Sequence, residues 1–317
     1  MSMRLAMVGV IVWSIGSGLP AAAENAPTDP EPVTSGIVEE VLVEAPEPRY
    51  AAPTLRDRIG RVWVPVMING RGPFRLVLDT GATTSAILAP VAEELGLPTD
   101  ATGRSRLQGV TGTAIVPHVI ADRMEVGDLL ISHAKLVIVP DVFGGAQGVL
   151  GTEGLGDKRI LMDFRRDLVE IAYARGKPRP DDMTVVKFNV MRGRLAILDL
   201  MVGGVRTRAV IDTGAQQTIG NNRLREALLL RRRQVEDADV IGVTLDVAQG
   251  ERIRVPPISM GGVQVHNLHI TFGDVQIFEH WKLTREPALL IGMDVIGTLQ
   301  AFVIDYPRRE LYLRPRR

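Results

Sequence analysis

The sequence predicts an all-β protein built from two similar lobes with a few short helices. Short runs of alternating apolar and polar residues, separated by Gly, Pro and Asp, recur along the chain, as in residues 62–79 and 196–212. Such runs are typical of β-hairpins. The same arrangement of runs and turns occurs twice, which indicates an internal duplication.

Composition narrows the functional classes before any motif is considered. The chain has 317 residues, of which 45% are hydrophobic and 23% charged, enough for a sizeable core divided between two domains. Its 37 basic and 37 acidic residues cancel, so the net charge gives no reason to expect a nucleic acid or an anionic membrane as partner. The absence of cysteine excludes disulfides, a thiol nucleophile and a cysteine metal site.

Residues 1–23 predict a secretory signal peptide. Arg4 precedes an apolar stretch, and Ala21–Ala23 supplies a small-residue cleavage site. A retained membrane anchor is the competing interpretation, but Gly16 and Pro20 make the apolar stretch shorter than a bilayer span requires. We therefore expect a periplasmic or secreted protein with no stable membrane insertion after signal cleavage.

The part of the chain between the signal peptide and the first lobe predicts a flexible leader, residues 24–52, because it is rich in Pro and Glu and lacks periodicity. Within it, residues 36–44 are compatible with a short strand or with a pro-segment, and both interpretations remain open. The lobes are predicted at residues 53–178 and 179–317, with a linker near residues 174–183.

The strongest repeated feature is an Asp-Thr-Gly-Ala sequence placed directly after an apolar run. It occurs in LVLDTGATTS, residues 76–85, and in AVIDTGAQQT, residues 209–218. The two aspartates, Asp79 and Asp212, are 133 residues apart. An apolar-apolar-Gly sequence follows in each copy. The two apolar-apolar-Gly sequences lie farther apart than the two aspartates do, which predicts an insertion in the second copy, at residues 272–287.

One helix is predicted after each Asp-Thr-Gly-Ala sequence. The first covers residues 88–96, and the second covers residues 221–233 with Asn221 or Asn222 available as its N-cap.

These sequences resemble the retropepsin-like aspartic proteases, and two copies in one chain resemble the two-lobed arrangement of pepsin. The resemblance covers residues 53–317 and implies the acid-protease barrel fold with internal duplication. It also implies that Asp79 and Asp212 form the catalytic pair of a protease that needs no cofactor or metal. Two like charges close together cannot both ionise cheaply, so such a pair holds one proton between its carboxyl groups.

The resemblance also assigns supporting roles around the two aspartates. Threonine hydroxyls would join the two loops across the lobes, and glycines would allow close backbone approach. Alanine stands where pepsin-like enzymes carry Ser or Thr, which predicts a less acidic pH optimum than that of pepsin because no hydroxyl lowers the carboxyl pKa. The supporting residues are Thr80, Gly81, Ala82, Thr213, Gly214, Ala215, Gly151 and Gly292.

Two hairpins are candidates for flaps that cover the cleft and bind substrate. Residues 107–118 and 241–256 have the glycine-rich turns of mobile tips, and neither contains the flap tyrosine of the pepsin group. Whether one or both close is open at this stage. The candidate flap residues are Gly109, Val110, Thr111, Gly112, Gly242 and Val243.

The sequence therefore predicts a monomeric aspartic endopeptidase that cuts extended polypeptides. His266 and His269 would lie on opposite faces of a strand, which argues against a metal pair there. Two alternatives remain: a catalytically silent peptide-binding module of the same fold, and an enzyme that acts only with a partner or after removal of residues 24–52.

Overall fold

The computed structural model describes residues 49–53, 60–98, 103–126, 129–176, 182–192, 194–228 and 236–316. It confirms a predominantly β fold with internal duplication and short helices. The elements up to residue 173 are β1 (Arg49–Pro53), β2 (Trp63–Ile68), β3 (Arg71–Leu78), β4 (Ala86–Leu88), α1 (Ala89–Glu94), β5 (Arg104–Gln108), β6 (Thr113–Val126), β7 (Leu129–Val139), β8 (Gly148–Leu150), β9 (Lys158–Asp163) and β10 (Leu168–Tyr173).

The second half repeats this order with additional helices. Its elements are β11 (Thr184–Lys187), β12 (Asn189–Met191), β13 (Leu195–Val202), β14 (Val205–Ile211), β15 (Ile219–Gly220), α2 (Asn222–Ala227), β16 (Glu236–Ile241), β17 (Val247–Arg254), β18 (Ile258–Met260), β19 (Val263–Val265), β20 (His269–Phe272), α3 (Gln276–His280), β21 (Ala288–Ile291), α4 (Met293–Ile296), β22 (Leu299–Asp305) and β23 (Glu310–Pro315).

The first lobe is a closed six-stranded barrel. Its strands follow the order β2-β3-β8-β4-β7-β6, and β6 pairs back with β2 through Ile68 and Met124. Alternation along β2 explains the inward face, since Val64, Val66 and Ile68 are fully buried while the residues between them are partly exposed. Closure removes the free sheet edges that a half-buried sheet of this length would otherwise leave.

The second lobe repeats the arrangement that positions the Asp loops. In the first lobe β3 runs parallel to β8, with Leu78 opposite Leu150. In the second lobe β14 runs parallel to β21, with Ile211 opposite Ile291. The two apolar-apolar-Gly sequences matched in the repeat are therefore the strands that lie beside the Asp loops, and we call β8 and β21 the crossing strands.

A six-stranded sheet in the order β1-β10-β9-β22-β23-β11 joins the two halves. Its centre is the antiparallel pair β9 and β22, where Met162 faces Phe302 and Ile160 faces Ile304. Because β1 begins at Arg49, the predicted leader at residues 24–52 overlaps this sheet. The predicted signal peptide, residues 36–44 and the predicted lobe boundary at 178/179 lie outside the described residues.

The helices agree with the sequence prediction in part. Helix α1 carries a proline in its first turn, and α2 is capped by Asn221, whose side chain accepts a hydrogen bond from the Leu224 N–H at 2.9 Å. Helices α3 and α4 were not predicted; α3 lies within the insertion at residues 272–287. In the parts of the chain that the structure describes, no helix has the length and apolar character needed to cross a bilayer.

Candidate active site

Each candidate aspartate begins the loop that follows a central strand. Asp79 comes directly after β3 and Asp212 directly after β14, and both are fully buried. The Asp79 N–H donates to the Leu150 carbonyl at 3.0 Å, and the Asp212 N–H donates to the Ile291 carbonyl at 3.0 Å. The crossing strand therefore fixes the start of each loop in the same way.

The loop backbone orients each carboxylate. Oδ1 of Asp79 accepts hydrogen bonds from the N–H groups of Gly81 and Ala82, at 2.8 and 3.0 Å. Oδ1 of Asp212 accepts equivalent bonds from Gly214 and Ala215, at 2.9 and 3.0 Å. Oδ2 of each aspartate is buried with no hydrogen-bond partner among the described residues, so it is the oxygen available for chemistry.

The glycines of the two loops lie directly against the opposite carboxylate. A Cβ placed on Gly81 would lie 2.5 Å from Cγ of Asp212 and closer still to its Oδ2. A Cβ on Gly214 would lie 2.7 Å from Oδ1 of Asp79 and closer still to its Oδ2. Only glycine fits at these positions, and the close approach brings the two carboxyl groups together between the lobes.

Four hydrogen bonds made by the two threonines link the loops across the lobes. The Thr80 hydroxyl donates to the Ile211 carbonyl at 3.0 Å and accepts from the Thr213 N–H at 3.1 Å. The Thr213 hydroxyl donates to the Leu78 carbonyl at 2.7 Å and accepts from the Thr80 N–H at 3.1 Å. All of these groups are buried, so the link also sets the separation of the carboxyl groups.

Burial raises the pKa of both carboxyl groups. For Asp79 the desolvation is reinforced by the neighbouring Asp212 carboxyl group, and its pKa lies well above the usual range. Burial also raises the pKa of Asp212, opposed by the neighbouring Asp79 carboxyl group and by the amides of Ala215 and Gly214. Raised pKa values on two adjacent carboxyl groups are consistent with one proton shared between the two Oδ2 atoms. That proton belongs to the pair rather than to either residue.

The glycines of the apolar-apolar-Gly sequences lie behind the loops. A Cβ on Gly151 would lie 2.7 Å from the carbonyl carbon of Thr84, and a Cβ on Gly292 would lie 2.7 Å from that of Gln217. Each crossing strand therefore passes too close to the loop backbone for any side chain. Gly151 and Gly292 act on the aspartates through packing rather than through contact with them.

Two buried carboxyl groups near the loops were missed by the sequence analysis. Glu153 accepts a hydrogen bond from the Ser85 N–H, and Asp294 accepts one from the Thr218 N–H at 2.9 Å. The sequence does contain a signal for these two acids. Ser85 and Thr218 are separated by 133 residues, as the two aspartates are, and each acid lies two residues after the glycine that follows its crossing strand.

The flap tips cross over, and each inserts a valine into the opposite lobe. Val110, from the turn between β5 and β6, is fully buried in a cluster of the second lobe that includes Phe278 and Trp281. Val243, from the turn between β16 and β17, is fully buried in a cluster of the first lobe that includes Trp63. We call this arrangement, in which both tips are packed against the opposite lobe, the closed flaps.

Hydrogen bonds hold the closed flaps to each other and to the inserted segment. The Gly242 N–H donates to the Thr111 hydroxyl at 3.1 Å, and the Ile277 N–H of α3 donates to the Val110 carbonyl at 3.1 Å. Gln276 adds a side-chain bond to the Thr113 hydroxyl at 3.0 Å. A Cβ on Gly109 would lie 3.2 Å from Cγ1 of Val243, and a Cβ on Gly112 would lie 2.8 Å from the Thr244 hydroxyl.

Across the described residues, no group of three or more His, Asp or Glu side chains is arranged to hold a metal ion.

Comparison with known proteins gives one family. A family model described as aspartyl protease matches residues 64–153 and 198–295. Each matched segment contains one Asp-Thr-Gly-Ala loop and its crossing strand. No curated protein sequence matches the chain.

Two solved structures illustrate the similarity. A retropepsin-like aspartic protease from Rickettsia conorii is 18% identical, with 40% of this chain and 93% of that chain covered and a TM-score of 0.32. Basic 7S globulin from soybean is 10% identical, with 85% of this chain and 95% of that chain covered and a TM-score of 0.45.

Proposed function

The chain belongs to the aspartyl protease family, and from this premise we propose that it hydrolyses peptide bonds of extended polypeptides with Asp79 and Asp212 as its catalytic pair. One observation carries the proposal. Both Oδ2 atoms are buried without a partner among the described residues, each lies against the glycine of the other loop, and the pKa of each carboxyl group is raised.

In the proposed reaction the pair starts with one proton. The ionised carboxylate accepts a proton from a water molecule bound between the two groups, and the resulting oxygen attacks the peptide carbonyl carbon. The protonated carboxyl donates its proton to the carbonyl oxygen, which gives a neutral tetrahedral diol. The carboxyl group that took the proton from water then gives it to the amide nitrogen, and the other carboxylate takes a proton from a hydroxyl of the diol as the C=O bond re-forms. The C–N bond breaks, an amine and a carboxylic acid leave, and the pair is again singly protonated.

Substrate binding follows from the closed flaps. The tips occupy apolar clusters on both sides of the aspartates, so an extended peptide enters only after Val110 and Val243 withdraw. The vacated clusters then accept apolar side chains, while the flap backbone and the cleft bind the main chain of the substrate. The substrate class is therefore an unfolded or extended segment with apolar residues beside the scissile bond.

The proposal is tested by cleavage of a peptide library between pH 3 and 8, comparing the chain from Glu24 onward with its Asp79→Asn variant. We expect cleavage by the wild type alone, its inhibition by a statine-type compound, and an optimum less acidic than that of pepsin. Equal turnover by both proteins would remove Asp79 from the mechanism. Peptide binding without any cleavage would instead favour the silent peptide-binding module.

Export through a signal peptide is a further part of the proposal, and it rests on the sequence of residues 1–23. Signal cleavage after Ala23 gives a mature protein that begins at Glu24. Terminal sequencing and mass measurement of the protein recovered outside the cytoplasm test this point. A protein that keeps Met1 and sediments with membranes contradicts it.

A further inference from the structure

Each catalytic loop ends at a buried hydroxyl residue that is bonded to a buried carboxyl group. We call the pairs Ser85–Glu153 and Thr218–Asp294 the loop clips. They stand at corresponding places in the two lobes, and neither acid belongs to the Asp-Thr-Gly-Ala sequences. The hydrogen bonds of each pair indicate what the pair does for the candidate active site.

The second-lobe clip ties the end of the loop to its crossing strand. The Thr218 N–H donates to Oδ2 of Asp294 at 2.9 Å, and the Thr218 hydroxyl donates to Oδ1 at 2.7 Å. The same hydroxyl accepts from the Gly292 N–H at 3.1 Å. Since Asp212 at the start of the loop is bonded to the Ile291 carbonyl, the loop is fixed at both ends by one short segment.

The first-lobe clip has the same plan with a longer acid. The Ser85 N–H donates to Oε1 of Glu153, and the Ser85 hydroxyl accepts from the Gly151 N–H at 3.0 Å. The start of this loop is bonded to the Leu150 carbonyl. Glu153 replaces Asp294 at the equivalent place, so the carboxyl group rather than the residue type is what the two lobes share.

Both clip carboxyl groups are kept out of water at a cost. Each residue is partly exposed as a whole, but Oε2 of Glu153 is buried with no hydrogen-bond partner among the described residues. Burial raises the pKa of Glu153 and of Asp294, opposed by the hydrogen bonds from Ser85 and Thr218. An apolar residue at either place would avoid the desolvation but would leave the buried Ser85 or Thr218 N–H without its acceptor, so each acid serves to hold the end of its loop.

We propose that Glu153 and Asp294 are positioning residues that hold the two loops so that Oδ2 of Asp79 and Oδ2 of Asp212 face each other. The inference deepens the proposed function and rests on it. The amides that orient the aspartates, such as Gly81 and Gly214, lie inside the clipped loops. Releasing the end of a loop moves these amides, and with them the carboxyl group that they hold.

The test uses Glu153→Gln and Asp294→Asn, which preserve side-chain shape, together with Thr218→Val and the conservative Thr218→Ser. Asp305→Asn is the matched control, because Asp305 is a fully buried carboxylate in the six-stranded sheet that joins the two halves, and its hydrogen bonds go to Arg159 and to the Arg308 N–H rather than to the loops. Kinetic constants and thermal unfolding are measured for each variant with the same peptide.

We expect kcat to fall at least about tenfold in the two clip variants with KM within twofold, because small displacements of reacting groups are costly. The kcat of Thr218→Val should fall similarly, and that of Thr218→Ser should stay at the wild-type value. Asp305→Asn should lose stability and keep kcat. If the clip variants lose stability as Asp305→Asn does and keep kcat within twofold, the clips are structural only and the inference is overturned.

A second readout does not depend on turnover. Because the loop amides lower the carboxyl pKa, loosening a loop should raise the pKa of the Asp79/Asp212 pair, measured by NMR titration of 13C-labelled aspartate. An unshifted titration in both clip variants contradicts the inference. A wild type that cleaves no peptide contradicts the proposed function, while the titration still decides the role of the clips.

Discussion

Replacing Thr80 with valine removes a hydroxyl that joins the two lobes while nearly preserving the shape of the side chain. The change leaves the buried Thr213 N–H and the buried Ile211 carbonyl without their partner. A buried polar group without a partner costs about 1–3 kcal/mol, so the two together predict a loss of about 2–6 kcal/mol in the free energy of unfolding. Domains are typically stable by only about 5–15 kcal/mol, so the effect should be large.

Urea unfolding followed by tryptophan fluorescence measures this loss. In the chain from Glu24 onward, which lacks Trp13, Trp63 reports on the first lobe and Trp281 on the second, each isolated by replacing the other with phenylalanine. Thr80→Ser is the matched control, since it keeps the hydroxyl and should stay near the wild type. A Thr80→Val protein within about 0.5 kcal/mol of the wild type, the scatter of ordinary surface substitutions, would refute the assigned role of these bonds.

Three further predictions follow from the same geometry. Gly81→Ala should abolish cleavage, since its Cβ would overlap the Asp212 carboxyl group; wild-type turnover would contradict this. Thr111→Val removes the flap-to-flap acceptor of the Gly242 N–H, which then keeps only the Asp246 carbonyl of its own hairpin. Binding of a statine-type inhibitor should therefore accelerate about 2–10-fold in stopped-flow measurements, and an unchanged rate would argue against the flap contact. The pKa of Asp79 is raised in the folded chain, so the folded chain is favoured fully below the pKa of this carboxyl group in the unfolded chain and loses that advantage as pH rises and the group ionises. Asp79→Asn, which stays neutral, should therefore have a higher melting temperature than the wild type near pH 7 and lose that gain near pH 4.

The sequence predicted the parts of the site that the duplication repeats. A catalytic pair needs two carboxylates, and the Asp-Thr-Gly-Ala sequence that follows a predicted strand occurs twice. The repeat therefore predicted Asp79 and Asp212 as partners. The crossing strands were readable for the same reason, since a glycine must stand where two backbones nearly touch. Glu153 and Asp294 have an equally regular spacing in the sequence. An acid two residues after a glycine predicts no role by itself, because its hydrogen bond to Ser85 or Thr218 is known only from the structure.

Other features depend on contacts that leave no local pattern. The packing of Val110 against α3 joins residues more than 160 positions apart, and the valine itself looks like any turn residue. The predicted leader runs through residue 52 and so overlaps β1, because the strand is short and lies in a Pro-rich region. Pairing with β10 forms it, and no periodicity in residues 49–53 announces that pairing.

The most direct measurement of the central claim compares Asp79→Asn, Asp212→Asn and the double variant for cleavage of one peptide. Residues that act as a unit have non-additive effects, so each single change should remove activity almost completely and the double variant should be no slower than either single variant. Appreciable turnover by one single variant, or losses that multiply in the double variant, would contradict a shared-proton pair.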